Sequence, residues 1–175
     1  DSFQHHLEMA VTDPLTGLHK RRYMESHLNT LVDKANDEDK PLSLLLMDID
    51  YFKAVNDTHG HEAGEDVLRE FSVRLRSNVR GIDLACRYGG EEFVVVMPET
   101  NKALAYMVAE RVRQQIAGRP FAVLGGEKSL DITVSIGIAS LEKNSETPST
   151  LLRRADEALY TAKRDGRNRV VSDAA

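Results

Sequence analysis

The chain has one cysteine, Cys86, among its 175 residues, so no intrachain disulfide can staple it, which fits a reducing, cytoplasmic compartment. It has no apolar run near the ~20 residues that a membrane span requires, and its first residues lack a signal-peptide pattern. Positive charge is not in excess: 28 Asp and Glu against 23 Lys and Arg leave a net charge of −5. A surface for nucleic-acid polymers usually carries a basic stripe, and none is expected here. Single nucleotides stay open, because a metal ion and a few cations can meet their phosphates locally. There is no internal repeat, no Gly-x-x-x-x-Gly-Lys-Ser/Thr phosphate loop, and no Ser/His/Asp or metal-thiolate spacing. Phosphates would therefore have to be held by metal, by backbone amides near Tyr51-Phe52-Lys53, and by distant cations.

A hydrophobic content of 41% over this length suits one globular domain with a sizeable core. Residues 1–11 are helix-compatible and start without a Met or a clear cap, so they are expected to be the end of a linker helix from an upstream regulatory region, with the domain itself over 12–175. Asp13-Pro14 can cap a helix or form a turn. Helical spacing runs from Lys20 to about Lys34, from about Gly64 to Asn78, from about Lys102 to Ala117, and from Thr150 to Lys163. The bounded apolar run Leu42 to Asp50 reads as a strand buried on both faces. Further strands are expected on either side of Gly89-Gly90, from Leu130 to Leu141, and from Arg169 to Val171. The order strand, helix, strand hairpin, helix, strand predicts an α+β, palm-like β-α-β-β-α-β sheet, largely antiparallel, with helices covering one side and additions at the ends.

Gly89-Gly90-Glu91-Glu92-Phe93 stands between two of these strands. A glycine pair suits a two-residue hairpin loop that needs φ > 0, and it leaves room for a ligand against the backbone. Two adjacent acids are unfavourable without a positive neighbour, since like charges ~4 Å apart repel by roughly 4 kcal/mol at an effective dielectric of 20. By itself the stretch is also compatible with a solvated turn. The predicted sheet brings it beside Asp48-Ile49-Asp50, the acidic end of the buried strand, where charge is costly unless paired or bound to metal. Carboxylates from two adjoining strands form a hard-oxygen site suited to Mg²⁺ or Mn²⁺, with a structural ion-pair cluster as the alternative. Downstream, Phe52 to Glu65 includes Asn56 and acidic groups whose donors and acceptors match the guanine edge, although Asn, Asp and Gly are also ordinary turn residues.

At this point the chain resembles the GGDEF family of diguanylate cyclases. The resemblance is carried by Asp13 to Leu18, Asp48-Ile49-Asp50, Phe52-Lys53, Asn56-Asp57, Gly60-His61, Arg80-Gly81-Ile82-Asp83, Arg87 to Phe93, Val134 to Gly137, Ala155-Asp156, Tyr160, Ala162-Lys163 and Gly166-Arg167-Asn168. It implies condensation of two GTP into cyclic di-GMP, with release of two pyrophosphates, across a homodimer in which each domain holds one GTP. Carried over, Asp48, the Ile49 carbonyl and Glu91 bind two Mg²⁺ or Mn²⁺ ions per half-site. Glu91 is also the family's proposed base, and Glu92 completes the acidic pair. Phe52, Lys53, Asn56, His61, Glu65, Gly89 and Gly90 surround the GTP, and Lys163 and Arg167 meet its phosphates. Arg80 and Asp83, with Arg111 as a further contact, form an inhibitory site for the product.

Two positions depart from the family pattern. Glu65 stands where Asp is usual, with the same charge and one more methylene, and Lys20 replaces an Asn. The competing readings are a catalytically silent receptor of cyclic di-GMP or GTP, and a pure dimerisation module.

Overall fold

The computed structural model describes residue 2 and residues 10–141 and 146–173. The expected linker helix at 1–11 falls mostly outside the described residues; its last two positions, Ala10 and Val11, are helical. The elements that follow are β1 (His19–Lys20), α1 (Arg21–Glu38), β2 (Leu42–Ile49), α2 (Phe52–His59), α3 (His61–Arg76), β3 (Leu84–Arg87) and β4 (Glu92–Pro98). After them come α4 (Lys102–Ala117), β5 (Phe121–Val123), β6 (Lys128–Leu130), β7 (Val134–Ser140), α5 (Pro148–Arg164) and β8 (Val170–Ser172).

Strand β2 is apolar at nearly every position because both of its faces are covered. Leu45, Met47 and Ile49 pack with Phe93, Val95 and Met97 beneath α3 and α4. Leu42, Leu44 and Leu46 pack with Val94, Val96 and Cys86 beneath α1 and α5. The period of two in side-chain direction thus sorts one continuous run into two cores. The six-stranded sheet has the order β1-β3-β4-β2-β7-β8. β2 is antiparallel to β4 and β7, and β3 to β4. The short edge strands β1 and β8 run parallel to β3 and β7. The crossover helices α3 and α4 lie on one side as expected, and the terminal additions α1 and α5 cover the other. Cys86 is fully buried, which pushes its thiol up to about 12 and leaves it inert.

Three expectations are corrected. The helix expected from about Gly64 begins at His61, as α3, and a further helix, α2, precedes it with only Gly60 (φ 91°) between them. The strand expected over Leu130–Leu141 divides at residues 131–133: β6 pairs with β5 in a separate two-stranded arm, and β7 alone enters the main sheet. Helix α1 continues past its expected end near Lys34 to Glu38, and Asp39 ends it in the left-handed conformation (φ 54°).

Gly137 sets the distance between β7 and α5. A Cβ there would enter the Leu159 amide nitrogen and the Ala155 carbonyl, with the Ala158 carbonyl carbon at 2.9 Å, and helix backbone cannot swing aside. Gly137→Ala is therefore expected to destabilise the fold by about 3 kcal/mol, a loss of roughly 6–12 °C in Tm by calorimetry.

Candidate active site

The register places Asp48 directly opposite Glu92 on β4 and opposite Ser135 on β7. Both acids sit at the end of the sheet, where burial pushes the Asp48 carboxyl above its ordinary range against the pull of Lys163. Burial also raises Glu92, and the Asp48 charge adds to the effect. Glu91 lies one residue before β4, in the turn, where strand alternation no longer applies. The Ile49 amide donates to the Glu91 carbonyl at 3.2 Å, which ties the end of β2 to this turn.

The turn differs from the expected two-residue hairpin. Tyr88 and Gly89 amides both donate to the Glu92 carbonyl, at 2.7 and 3.2 Å, leaving Gly89, Gly90 and Glu91 as a three-residue tip. Neither glycine adopts a left-handed φ. Gly89 instead leaves room for the Glu92 carboxylate, whose Oε1 would stand 2.6 Å from an added Cβ. Gly90 has open space beside it and lines a cavity.

That cavity, of about 780 Å³, lies between the turn and helices α2 and α3. It brings together Phe52, Lys53, Asn56, His61 and Glu65, which the resemblance assigned to GTP, with Gly90 and Glu91, whereas Gly89, assigned there too, does not line it. Gly64 makes the close packing possible, because a Cβ there would collide with Asn56 Oδ1. The expectation for Asp50 is corrected, and Lys163 and Arg167, which the resemblance assigned to the phosphates, have protein partners here. Asp50 is taken up in hydrogen bonds, although its charge is still felt at Asp48: it accepts from Thr133 Oγ1 and Ser135 Oγ, each at 2.7 Å, and from the Asn168 amide at 3.0 Å. Lys163 donates to Asp48 Oδ2 at 2.5 Å and does not line the cavity. The Arg167 guanidinium lies 4.9 Å from the centre of the Tyr51 ring.

Asp13, Pro14, Leu15, Leu68 and Arg87 also line the cavity, and no role for them was expected. Arg87 Nε and Nη2 donate to the Gly90 carbonyl at 3.1 and 2.8 Å, and its Nη1 reaches both Asp13 carboxylate oxygens at 3.4 Å. Asp13 in turn accepts from the Thr16 amide and hydroxyl at 3.0 and 2.8 Å. Arg87 thereby holds the acidic turn against the segment that enters the domain. An Asp three residues before a Thr was the available signal for this turn.

Arg80 and Asp83 lie outside the cavity, in the loop between α3 and β3. Asp83 Oδ1 accepts from Arg80 Nη2 at 2.7 Å, and Arg80 also donates to the Pro98 carbonyl at 3.0 Å and Thr100 Oγ1 at 2.7 Å. The Asp83 side chain is fully buried, whereas that of Arg80 is 43% exposed. Arg111 Nε donates to Asn78 Oδ1 at 2.5 Å, which brings it to the start of the same loop.

No three His, Cys, Asp or Glu side chains converge as a ready-made metal cage among the described residues. The donor set nonetheless fits a hard divalent cation. The Asp48 carboxylate, partly desolvated and crowded by Glu92, would be stabilised by a cation, Glu91 in the turn tied to Ile49 offers a further carboxylate, and magnesium takes few protein ligands when substrate phosphates supply the rest.

Among the described residues, no helix is long and apolar enough to cross a membrane. The profile of the family described as diguanylate cyclase, GGDEF domain, matches residues 10–169. The response regulator PleD of Caulobacter vibrioides is 55% identical over 175 residues, covering all of this chain and 38% of PleD. Diguanylate cyclase A of Treponema denticola is 40% identical over 168 residues, covering 94% of this chain and 44% of that protein. The chain thus spans less than half the length of these curated relatives. The crystal structure of the coiled coil and GGDEF domain of DgcB from Caulobacter crescentus, in complex with c-di-GMP, superimposes with a TM-score of 0.93 at 31% identity, covering 98% of this chain and 90% of that one. The active GGEEF domain of a diguanylate cyclase from Vibrio cholerae gives a TM-score of 0.83 at 34% identity, covering 89% of this chain and 97% of that one. With the family profile matched over nearly its whole length, the chain belongs to the GGDEF domain family of diguanylate cyclases.

Proposed function

We propose that this domain is a diguanylate cyclase that holds one GTP and, facing a second copy, forms cyclic di-GMP with release of two pyrophosphates. The observation that carries the reading is the single cavity in which Asn56, His61 and Glu65 stand with the acidic turn at Gly90 and Glu91. Its volume of about 780 Å³ falls within the range of small-molecule sites, roughly 300–1,000 Å³. A cyclic dinucleotide needs two nucleotides, so the second comes from a partner domain, and the family membership supports the same conclusion.

Asn56 and Glu65 read the guanine edge, with His61 beside the base or ribose. An adenine would leave their donors and acceptors unpaired at about 1–3 kcal/mol each. Lys53 and the amides at the start of α2 face the phosphates, as a helix N-terminus suits an anion. Asp48, the Ile49 carbonyl and Glu91 would hold Mg²⁺ or Mn²⁺, two ions per half-site. Bound there, the metal supplies Lewis acidity that lowers the pKa of the attacking 3′-hydroxyl and balances charge on the leaving pyrophosphate. Glu91 takes the proton of that hydroxyl, and Glu92 keeps the negative field at the strand end. Lys163 and Arg167, both on the α5 side, serve the phosphates once GTP is present. Arg80, Asp83 and Arg111 form a site for inhibition by product; the solved complexes of DgcB with c-di-GMP support binding of that ligand by a domain of this fold.

The test is product analysis by liquid chromatography after incubation with Mg²⁺ and either GTP or ATP. Cyclic di-GMP with two pyrophosphates per molecule from GTP, and no cyclic product from ATP, is the expected result. Tight binding of cyclic di-GMP with no turnover of GTP by concentrated or tethered protein would establish a receptor instead.

A further inference from the structure

The acidic strand end already has a cation. Lys163 Nζ donates to Asp48 Oδ2 at 2.5 Å, and Asp48 is the residue placed above as a metal ligand. The two partners differ in freedom. The Asp48 side chain is 13% exposed and projects from the central strand, whereas that of Lys163 is 32% exposed and ends a flexible four-carbon stem. The backbone around Lys163 is fixed. Ala162 is fully buried and its carbonyl accepts from the Arg167 amide at 2.9 Å. The turn beyond, with Gly166, Arg167 and Asn168 all at positive φ, is anchored by Asp50 through the Asn168 amide at 3.0 Å. Only the Lys163 side chain is left to move.

A divalent ion arriving alone must share Asp48 with this ammonium or displace it, and either way sets two cations side by side with no added anion. A metal arriving with a triphosphate brings the displaced ammonium a new partner. We infer that Lys163 is an exchangeable counterion, which holds Asp48 in the nucleotide-free domain and passes to the phosphates of GTP, so that metal and nucleotide bind together. This rests on the GTP reading of the cavity and adds an order of binding to it. Because coupling between two ligands is reciprocal, the nucleotide tightens the metal by the same factor as the metal tightens the nucleotide.

The test measures Mn²⁺ binding by electron paramagnetic resonance, without nucleotide and with 3′-deoxy-GTP, which lacks the attacking hydroxyl and cannot turn over. The unsubstituted protein is expected to bind Mn²⁺ at least about tenfold more tightly with 3′-deoxy-GTP than without it, within the usual range of such couplings. Lys163→Gln is expected to bind Mn²⁺ alone about tenfold more tightly than the unsubstituted protein and to lose most of the coupling. Lys163→Arg, which keeps a cation at Asp48, is expected to stay weak toward Mn²⁺ alone. A misfolded variant would lose affinity for the ion and not gain it, so misfolding cannot mimic the expected gain. Nucleotide binding with an unchanged Mn²⁺ affinity in Lys163→Gln overturns the exchange and leaves the GTP reading intact. Failure of 3′-deoxy-GTP to bind at any Mn²⁺ concentration overturns both.

Discussion

Glu91→Gln is expected to lower cyclic di-GMP formation at least ~10²-fold while shifting stability by no more than about 0.5 kcal/mol. The amide keeps the size and shape of the side chain and removes its charge and basicity. Glu91 sits in the turn outside β4, lines the cavity, and makes no hydrogen bond or ion pair through its carboxylate among the described residues. A structural role would require partners that Gln disrupts. A metal-binding and proton-accepting role requires only the carboxylate itself. Initial rates paired with a thermal melt separate the two, and full activity in this variant contradicts the assignment. Glu92 is a less clean probe, because it stands opposite Asp48 and its loss changes the field at the strand end as well as any chemistry.

Arg80→Ala is expected to raise the concentration of cyclic di-GMP needed for half-inhibition at least tenfold and to leave the uninhibited initial rate within about twofold. The separation follows from position: neither Arg80 nor Asp83 lines the cavity proposed for GTP. Arg80 grips Asp83, the Pro98 carbonyl and Thr100, so an incoming ligand must compete for a guanidinium that is already engaged. Its exposed surface, and Arg111 at the start of the same loop, offer that ligand the planar donors suited to phosphate and guanine. The Asp83 side chain is fully buried and after truncation keeps only the Arg80 backbone amide, at 2.8 Å, of its present Arg80 donors. The variant should therefore also lose about 1–3 kcal/mol of stability. Rates across a cyclic di-GMP series, with a melt on the same sample, test both parts, and unchanged inhibition removes the site.

The acidic centre was legible because its signals are local. The run from Leu42 ends in Asp48, the two glycines precede Glu91 and Glu92, and a sheet of this order brings these ends together. What was missed depends on contacts that no short window contains. The eight residues of α2 are too few to display a period, and Gly60 cuts them from α3. Strands β5 and β6 have three residues each, so alternation carries almost no information there. Lys163 reaches Asp48 across 115 positions, and Arg87 reaches Asp13 across 74. Of the two reasons for the glycine pair, the positive-φ turn fails and the room beside the backbone holds. The use of the pair lies in room for the Glu92 carboxylate at Gly89 and open space at Gly90, and not in φ. Asp50 matched the acidic pattern, yet its three acceptor bonds make it a brace for the turn after α5.

The central claim is that one cavity supplies half of a reaction whose other half lies on a second copy. Its most direct test is the rate of cyclic di-GMP formation from GTP and Mg²⁺ across a wide range of protein concentration, with an artificially dimerised form alongside. The account predicts a rate per domain that rises with concentration and approaches that of the tethered form. A rate per domain independent of concentration, or no cyclic di-GMP even from the tethered dimer, would contradict it.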